Sequence, residues 1–168
     1  MKKQYKVMRN IISEELAEFL GLYFLNLQNF SKGYLTDPQT MNTPSYDSEA
    51  ITETLLVMIL KRLEEESGLE LHPTYSYLRV YKKGDELPFH TDRPACEISC
   101  TINLDGEELI LHPGDGCIYK GMEVNHGRYE FEGDYCVQVF CHYVNEHLDH
   151  IDDKVAKPGK PRFISNLG

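Results

Sequence analysis

The chain has 168 residues, of which 41% are hydrophobic and 26% charged. That suits one domain with enough chain for a real core. Its net charge of −10 argues against a sequence-independent grip on DNA or RNA phosphates, while leaving a basic peptide as a conceivable partner. Met1 leads into Lys2-Lys3-Gln4-Tyr5 with no long apolar run behind it, so neither a signal peptide nor a membrane span is expected.

Residues 5–12 read as a short edge strand. Ser13 then has the character of an N-cap, with Glu14 and Glu15 favourable in a first helical turn. Leu16, Phe19, Leu20, Tyr23, Phe24 and Leu27 follow at helical spacing, so 13–29 is expected to be an amphipathic helix with this stripe in the core. Residues 31–47 carry Gly33, Pro38, Pro44 and several small polar residues, and read as a loop. A second helix is expected from about Ser48 to Ser67, with Ile51, Leu55, Ile59 and Leu63 every fourth residue and Gly68 at its C-cap. Glu64-Glu65-Glu66 reads as a solvated face.

From Tyr75 the period changes to two. Tyr75, Tyr77, Arg79 and Tyr81 share one strand face, Leu78 and Val80 the other. In 97–104, Ile98, Cys100, Ile102 and Leu104 lie opposite Ser99, Thr101 and Asn103. Such strands fit a sheet with core on one side and solvent on the other. They also fit helices on the apolar faces and a polar barrel lumen, and the two preceding helices, which need a surface to cover, favour the lumen. Pro113-Gly114-Asp115-Gly116 is a turn, 117–120 a strand, Val124 to Tyr129 the segment of His126, and Tyr135 to Val144 a further strand. The polar tail from Asn145 is expected to lie over the surface, and His147-x-x-His150 within it to be solvated. Short strands with Gly/Pro turns after two helices suggest a double-sheet jelly roll, mainly β with flanking α-helices.

Within this pattern stands His90-Thr91-Asp92. Residues i and i+2 of a strand point to one face, so His90 and Asp92 can reach one metal ion, with His126 as the third ligand. Two imidazoles and a carboxylate leave the opposite side of a metal open, which suits non-haem Fe(II); a three-ligand zinc site is chemically close. His112 and His142 are weaker candidates. Cys96, Cys100, Cys117, Cys136 and Cys141 make an odd count without zinc-ribbon spacing. They read as reduced, buried thiols of a cytoplasmic protein.

The run RVYKKGDELPFHTD resembles the R-Y-x-x-G-x-x-x-x-x-H-x-D pattern of the 2-oxoglutarate/Fe(II) oxygenases. LHPGDGCIYKGMEVNHGRYEF resembles that family's second half, and EGDYCVQVFCHYV its closing strand. The similarity is greatest to the prolyl-4-hydroxylase-like group and covers roughly Tyr75 to Val144. It implies a single double-stranded β-helix domain, with a helical part at about 13–68, a jelly-roll core at about 75–144 and a tail at 145–168. It implies a dioxygenase that uses Fe(II), 2-oxoglutarate and O₂, with ascorbate as a reductant. The resemblance further implies hydroxylation of an unactivated C–H bond of a peptide, protein or metabolite, with a prolyl residue as the analogue.

The same resemblance implies an Arg or Lys on the barrel wall for the cosubstrate's distal carboxylate. The position where many relatives carry it falls at Tyr135 here. Arg128 shares a strand face with His126 and is the expected anchor, with Tyr135 the competing one. Tyr81 and Asn103 match wall positions of the family. The segment Leu104 to Leu109 is short by comparison with many relatives. A zinc hydrolase with the same ligands and a non-catalytic jelly-roll module remain the alternatives.

Overall fold

The structure, a computed structural model, describes residues 4–30, 35–37, 39–106 and 111–145. The tail beyond Asn145, with His147 and His150, and residues 107–110 lie outside the described residues. In chain order the elements are β1 (Tyr5–Met8), α1 (Glu14–Phe30), β2 (Leu35–Asp37), β3 (Thr40–Asp47), α2 (Ala50–Met58), α3 (Leu60–Ser67), β4 (Leu71–Lys82), β5 (Leu87–His90), β6 (Ile98–Gly106), β7 (Gly116–Lys120), β8 (His126–Arg128) and β9 (Tyr135–Asn145). A seven-stranded sheet runs β1-β7-β6-β9-β4-β3-β2, and β5 pairs with β8 in a second, smaller sheet. This is the expected two-sheet jelly roll.

The strands divide their side chains as the period-two pattern requires. Leu78 and Val80 of β4, Ile98, Cys100, Ile102 and Leu104 of β6, and Val137, Val139, Cys141 and Tyr143 of β9 join one core with residues of all three helices. The opposite faces carry Tyr75, Tyr77 and Arg79 of β4, Ser99 of β6, and Phe140 and His142 of β9, and enclose the site described below. The lumen reading therefore holds, with helices on the apolar face of the large sheet. Glu53 of α2 ties the two layers, accepting bonds from the backbone N–H and the hydroxyl of Ser76 (2.7 and 2.8 Å).

Ser13 caps α1 as expected, its hydroxyl accepting the Leu16 N–H at 3.2 Å. Gly68 ends α3 in the left-handed conformation (φ 71°), its N–H bonded to the Glu64 carbonyl at 2.8 Å. Three expectations need correction. The segment 31–47 contains β2 and β3 rather than a plain loop. Pro44 falls in a register shift between the β2–β3 pairs Leu35↔Ser45 and Asp37↔Thr40, where its missing N–H costs no ladder bond. The helix expected over 48–67 is two helices, broken at Ile59 (φ −89°, ψ −7°) without a proline or glycine. In α1 the face against the sheet is Ala17, Leu20, Gly21 and Phe24, whereas Phe19 and Tyr23 are exposed. Gly21 sets this rotation: a β-carbon there would stand 2.5 Å from Cβ of Asp105, so the helix backbone lies directly on β6.

Within the glutamate run, Glu66 pairs with Lys6 at the surface and Glu64 accepts the Leu71 N–H at 3.0 Å. The Pro113-Gly114-Asp115 turn is a latch, with Asp115 accepting the backbone N–H groups of Asn10 and His112 and pairing with Arg9. The rotation of α1 is directly testable. Phe24→Ala should cost about 3–5 kcal/mol in urea unfolding, and Phe19→Ala should stay within about 0.5 kcal/mol.

Candidate metal centre and its cavity

The small sheet exists to bring two histidines together. β5 and β8 are antiparallel, and His90 stands directly opposite His126, ring centroids 4.6 Å apart. Each Nδ1 lies 2.8 Å from the carbonyl oxygen two residues earlier, Pro88 for His90 and Val124 for His126. A carbonyl only accepts, so both Nδ1 atoms carry a proton, and in the neutral rings both Nε2 atoms present a lone pair. Asp92 follows β5, and its backbone N–H donates to the Gly121 carbonyl at 2.8 Å. Its Oδ1 lies 3.6 Å from Nε2 of His90 and 3.5 Å from Nε2 of His126. Three donors thus converge on one point, all partly buried.

The other oxygen of Asp92 has its own partner. Ser99 Oγ stands 3.0 Å from Oδ2 of Asp92 and 2.9 Å from Nδ1 of His142. A carboxylate can only accept, so the single hydroxyl proton goes to Asp92, and Ser99 must accept Nδ1–H from His142. His142, pushed down to about 4 by burial, is then neutral with Nε2 as a bare acceptor. Asp92 is held below the usual carboxylate range: burial alone would lift it, but the hydrogen bond and field of His126 prevail. His126 is raised by the same partnership, against the effect of burial. A cation between them would take the place of that proton.

Asp92, Cys96 and His142 also lie close enough to share an ion. Burial pushes the Cys96 thiol up to about 12, Tyr75 and the nearby charges modifying this only in part. A protonated thiol is a poor ligand, and the Nδ1 of His142 is already committed to Ser99. The His90/Asp92/His126 set is therefore the one that fits a metal, and it contains no thiolate to divert the site toward structural zinc.

A cavity of about 410 Å³ opens on the triad, with Tyr77, Phe140, Arg79, Arg93, Tyr75 and His142 among its walls. Arg79 is 6% exposed. Its Nη2 pairs with Asp37 and reaches Oε1 of Gln39 at 3.2 Å, its Nη1 is 3.4 Å from the Tyr81 hydroxyl, and its Nε is buried without a hydrogen-bond partner among the described residues. The residues read from the sequence as cosubstrate contacts sit elsewhere. Arg128 donates to Oε1 of Gln138 at 2.9 Å and stacks on Tyr81, its guanidinium carbon 4.5 Å from the ring centroid. Neither Arg128 nor Tyr81 is among the residues lining the cavity. Asn103 donates to the Leu111 carbonyl at 3.0 Å. Tyr135 is partly exposed at the start of β9, beside Asp105. His112 is exposed next to its turn.

Arg79, Arg93 and Ser99 were not singled out by sequence reasoning. The period-two face Tyr75-Tyr77-Arg79 contained the signal for Arg79, but nothing local marks Ser99 as the partner of Asp92. Ser99→Ala should weaken metal binding about 10- to 100-fold in calorimetric titration while leaving the circular dichroism spectrum unchanged.

No protein-family model and no curated protein sequence matches the chain. Solved structures share its fold. A prolyl-4-hydroxylase from Pseudomonas putida is similar at TM-score 0.69 and 9% identity, over 86% of this chain and 94% of that one. SnoK, a non-haem α-ketoglutarate-dependent carbocyclase from nogalamycin biosynthesis, is similar at TM-score 0.69 and 10% identity, over 95% and 90%. EctD from S. alaskensis, with 2-oxoglutarate and 5-hydroxyectoine, is similar at TM-score 0.66 and 13% identity, over 94% and 81%. At these identities the likeness establishes the double-stranded β-helix fold and no more.

Proposed function

We propose that this chain is a 2-oxoglutarate- and Fe(II)-dependent dioxygenase that hydroxylates an unactivated C–H bond. The observation that carries the reading is the convergence of Nε2 of His90, Nε2 of His126 and Oδ1 of Asp92, with each tautomer locked by a backbone carbonyl. Two neutral imidazoles and one carboxylate on one side of an ion leave its other positions open for a chelating 2-oxo acid and O₂. When bound, iron with 2-oxoglutarate and O₂ supplies the oxidising chemistry, and the cosubstrate leaves as succinate and CO₂.

The chain's own residues bind and orient. Pro88 and Val124 carbonyls hold the imidazole planes. Ser99 holds the carboxylate of Asp92. Tyr77 and Phe140 give the cavity apolar walls that limit water. For the distal carboxylate of the cosubstrate we assign Arg79, because it is a buried cation that lines the cavity shared with the triad. Arg128, the anchor expected from the sequence, stacks on Tyr81 behind it and supports that wall. Asn103 and Tyr135 have no part in this assignment. Among the described residues no helix is long and apolar enough to cross a membrane. A prolyl residue as substrate rests on analogy alone.

Turnover is tested by following succinate formation with Fe(II), 2-oxoglutarate and O₂, with and without ascorbate. Slow uncoupled succinate release is expected from the native protein. It should be lost in Asp92→Ala, which removes the one anionic ligand but should still fold, since the helix-covered core lies on the other face of the sheet. Hydrolytic activity with zinc alone, or no metal uptake at all, would overturn the proposal. The anchor is tested separately by titrating 2-oxoglutarate into anaerobic Fe(II) protein. Arg79→Ala should weaken it about ten- to a hundredfold, as expected for losing one charge-assisted contact, and Arg128→Ala far less. The reverse ranking would return the anchor to Arg128.

A further inference from the structure

Arg93 directly follows the ligand Asp92 and lines the same cavity. Though exposed, it is turned onto the cavity wall. Its guanidinium carbon lies 5.1 Å from the centroid of the Tyr75 ring, and Nη2 donates to the Tyr75 hydroxyl at 2.7 Å. The chain has 27 acidic residues, yet among the described residues no carboxylate pairs with this cation. Its contacts are a neutral phenol and the neighbouring Cys96. Its remaining N–H donors are open to solvent or to a molecule that enters the cavity.

The row continues. The Tyr75 ring packs against His142 at a centroid distance of 4.7 Å. His142 also lines the cavity. Its Nδ1 is committed to Ser99, and its Nε2 has no hydrogen-bond partner among the described residues. By the proton count above, that Nε2 is a bare acceptor. Cation, phenol and imidazole therefore stand side by side, the first adjacent in sequence to Asp92 and the last one hydroxyl away from it. A molecule that satisfies both ends of the row lies beside the metal's ligand.

We propose that the substrate is a small carboxylic acid with an N–H or O–H donor next to its carboxyl group. Arg93 holds the carboxylate and His142 Nε2 accepts the donor. The inference rests on the reading of the centre as an Fe(II)/2-oxoglutarate site, with Arg79 taking the cosubstrate. An internal prolyl residue of a peptide has neither a free carboxylate nor an N–H, so this row would go unused. Tyr77 and Phe140 then flank the carbon skeleton.

Three probes share a five-membered ring: L-proline, and two that each differ from it in one group, L-prolinamide and cyclopentanecarboxylate. They are titrated, with NMR detection, into native protein saturated with Fe(II) and 2-oxoglutarate under anaerobic conditions. L-proline should bind at least about tenfold more tightly than either of the others, as expected for one charge-assisted contact. Arg93→Gln should bring L-proline down to the level of L-prolinamide, and His142→Phe to the level of cyclopentanecarboxylate. His142→Leu serves if the phenylalanine variant does not fold. Arg93→Gln should leave 2-oxoglutarate affinity unchanged. Equal binding of all three probes by the native protein overturns the inference, as does a ranking that survives either substitution. Loss of 2-oxoglutarate binding in Arg93→Gln also overturns it, by making Arg93 the cosubstrate anchor. Failure of the underlying reading shows instead in the first titration, as native protein that takes up no 2-oxoglutarate with Fe(II) present.

Discussion

The two oxygens of Asp92 have separate tasks, and the centre depends on keeping them separate. Oδ1 faces the two imidazoles, while Oδ2 accepts from Ser99. A carboxylate free to rotate would exchange these oxygens and blur the donor set. One further contact limits that: the backbone N–H of Asp92 is bonded to the Gly121 carbonyl. Gly121 also leaves the room that Oδ2 occupies, since a β-carbon there would stand 2.4 Å from it. The end of β5, the turn after β7, and strands β6 and β9 through Ser99 and His142 all meet at this one side chain. Metal ligands held by such outer partners keep their geometry without the ion.

Charge is arranged in the opposite sense to the whole. The chain carries a net −10, but the cavity beside the triad contains two arginines. An acidic exterior does not help an anion to approach, so selection for anions must come from these two groups at short range. They differ in setting. Arg79 is deep, and shares its guanidinium between Asp37, Gln39 and Tyr81. Arg93 is half-exposed and held only by neutral groups among the described residues. In the proposed reaction, a deep cation already partly neutralised suits the cosubstrate. A rim cation with open donors suits the partner that defines specificity.

What was legible in the sequence follows range of interaction. His90 and Asp92 share a face because of strand geometry alone, and the lumen-facing Tyr75-Tyr77-Arg79 row follows from the same period. Ser13 and Gly68 announce helix ends through local chemistry. Strand β3 was hidden because Pro44 and its polar neighbours have turn character; its place comes from pairing with β4, where Ser45, Tyr46 and Asp47 oppose Arg79, Leu78 and Tyr77. In α1 a wide apolar arc left the rotation undetermined, and Gly21 against Asp105 decides it. The expected Arg128 anchor came from sharing a face with His126. Strand direction gives a face but not how far a long side chain runs along the lumen, and Arg128 runs to Tyr81 and Gln138.

The fold by itself says little about substrate, since the neighbours described above include a hydroxylase and a carbocyclase on one scaffold. Specificity must lie in what each chain adds to the scaffold. Here the added groups are placed on rigid parts. Tyr75 and Arg79 project from the long strand β4, His142 from β9, and Arg93 from the link between β5 and the short helical turn Pro94–Cys96. Each is fixed by a partner: Tyr75 by the buried Cys96, His142 by the buried Ser99, Arg93 by the buried Tyr75, and Arg79 by the half-buried Asp37. A site supported in this way has little freedom to reshape itself around different molecules. Recognition by such a row works through matching charges and proton directions, and it rejects a molecule that leaves Arg93 or His142 without its complement.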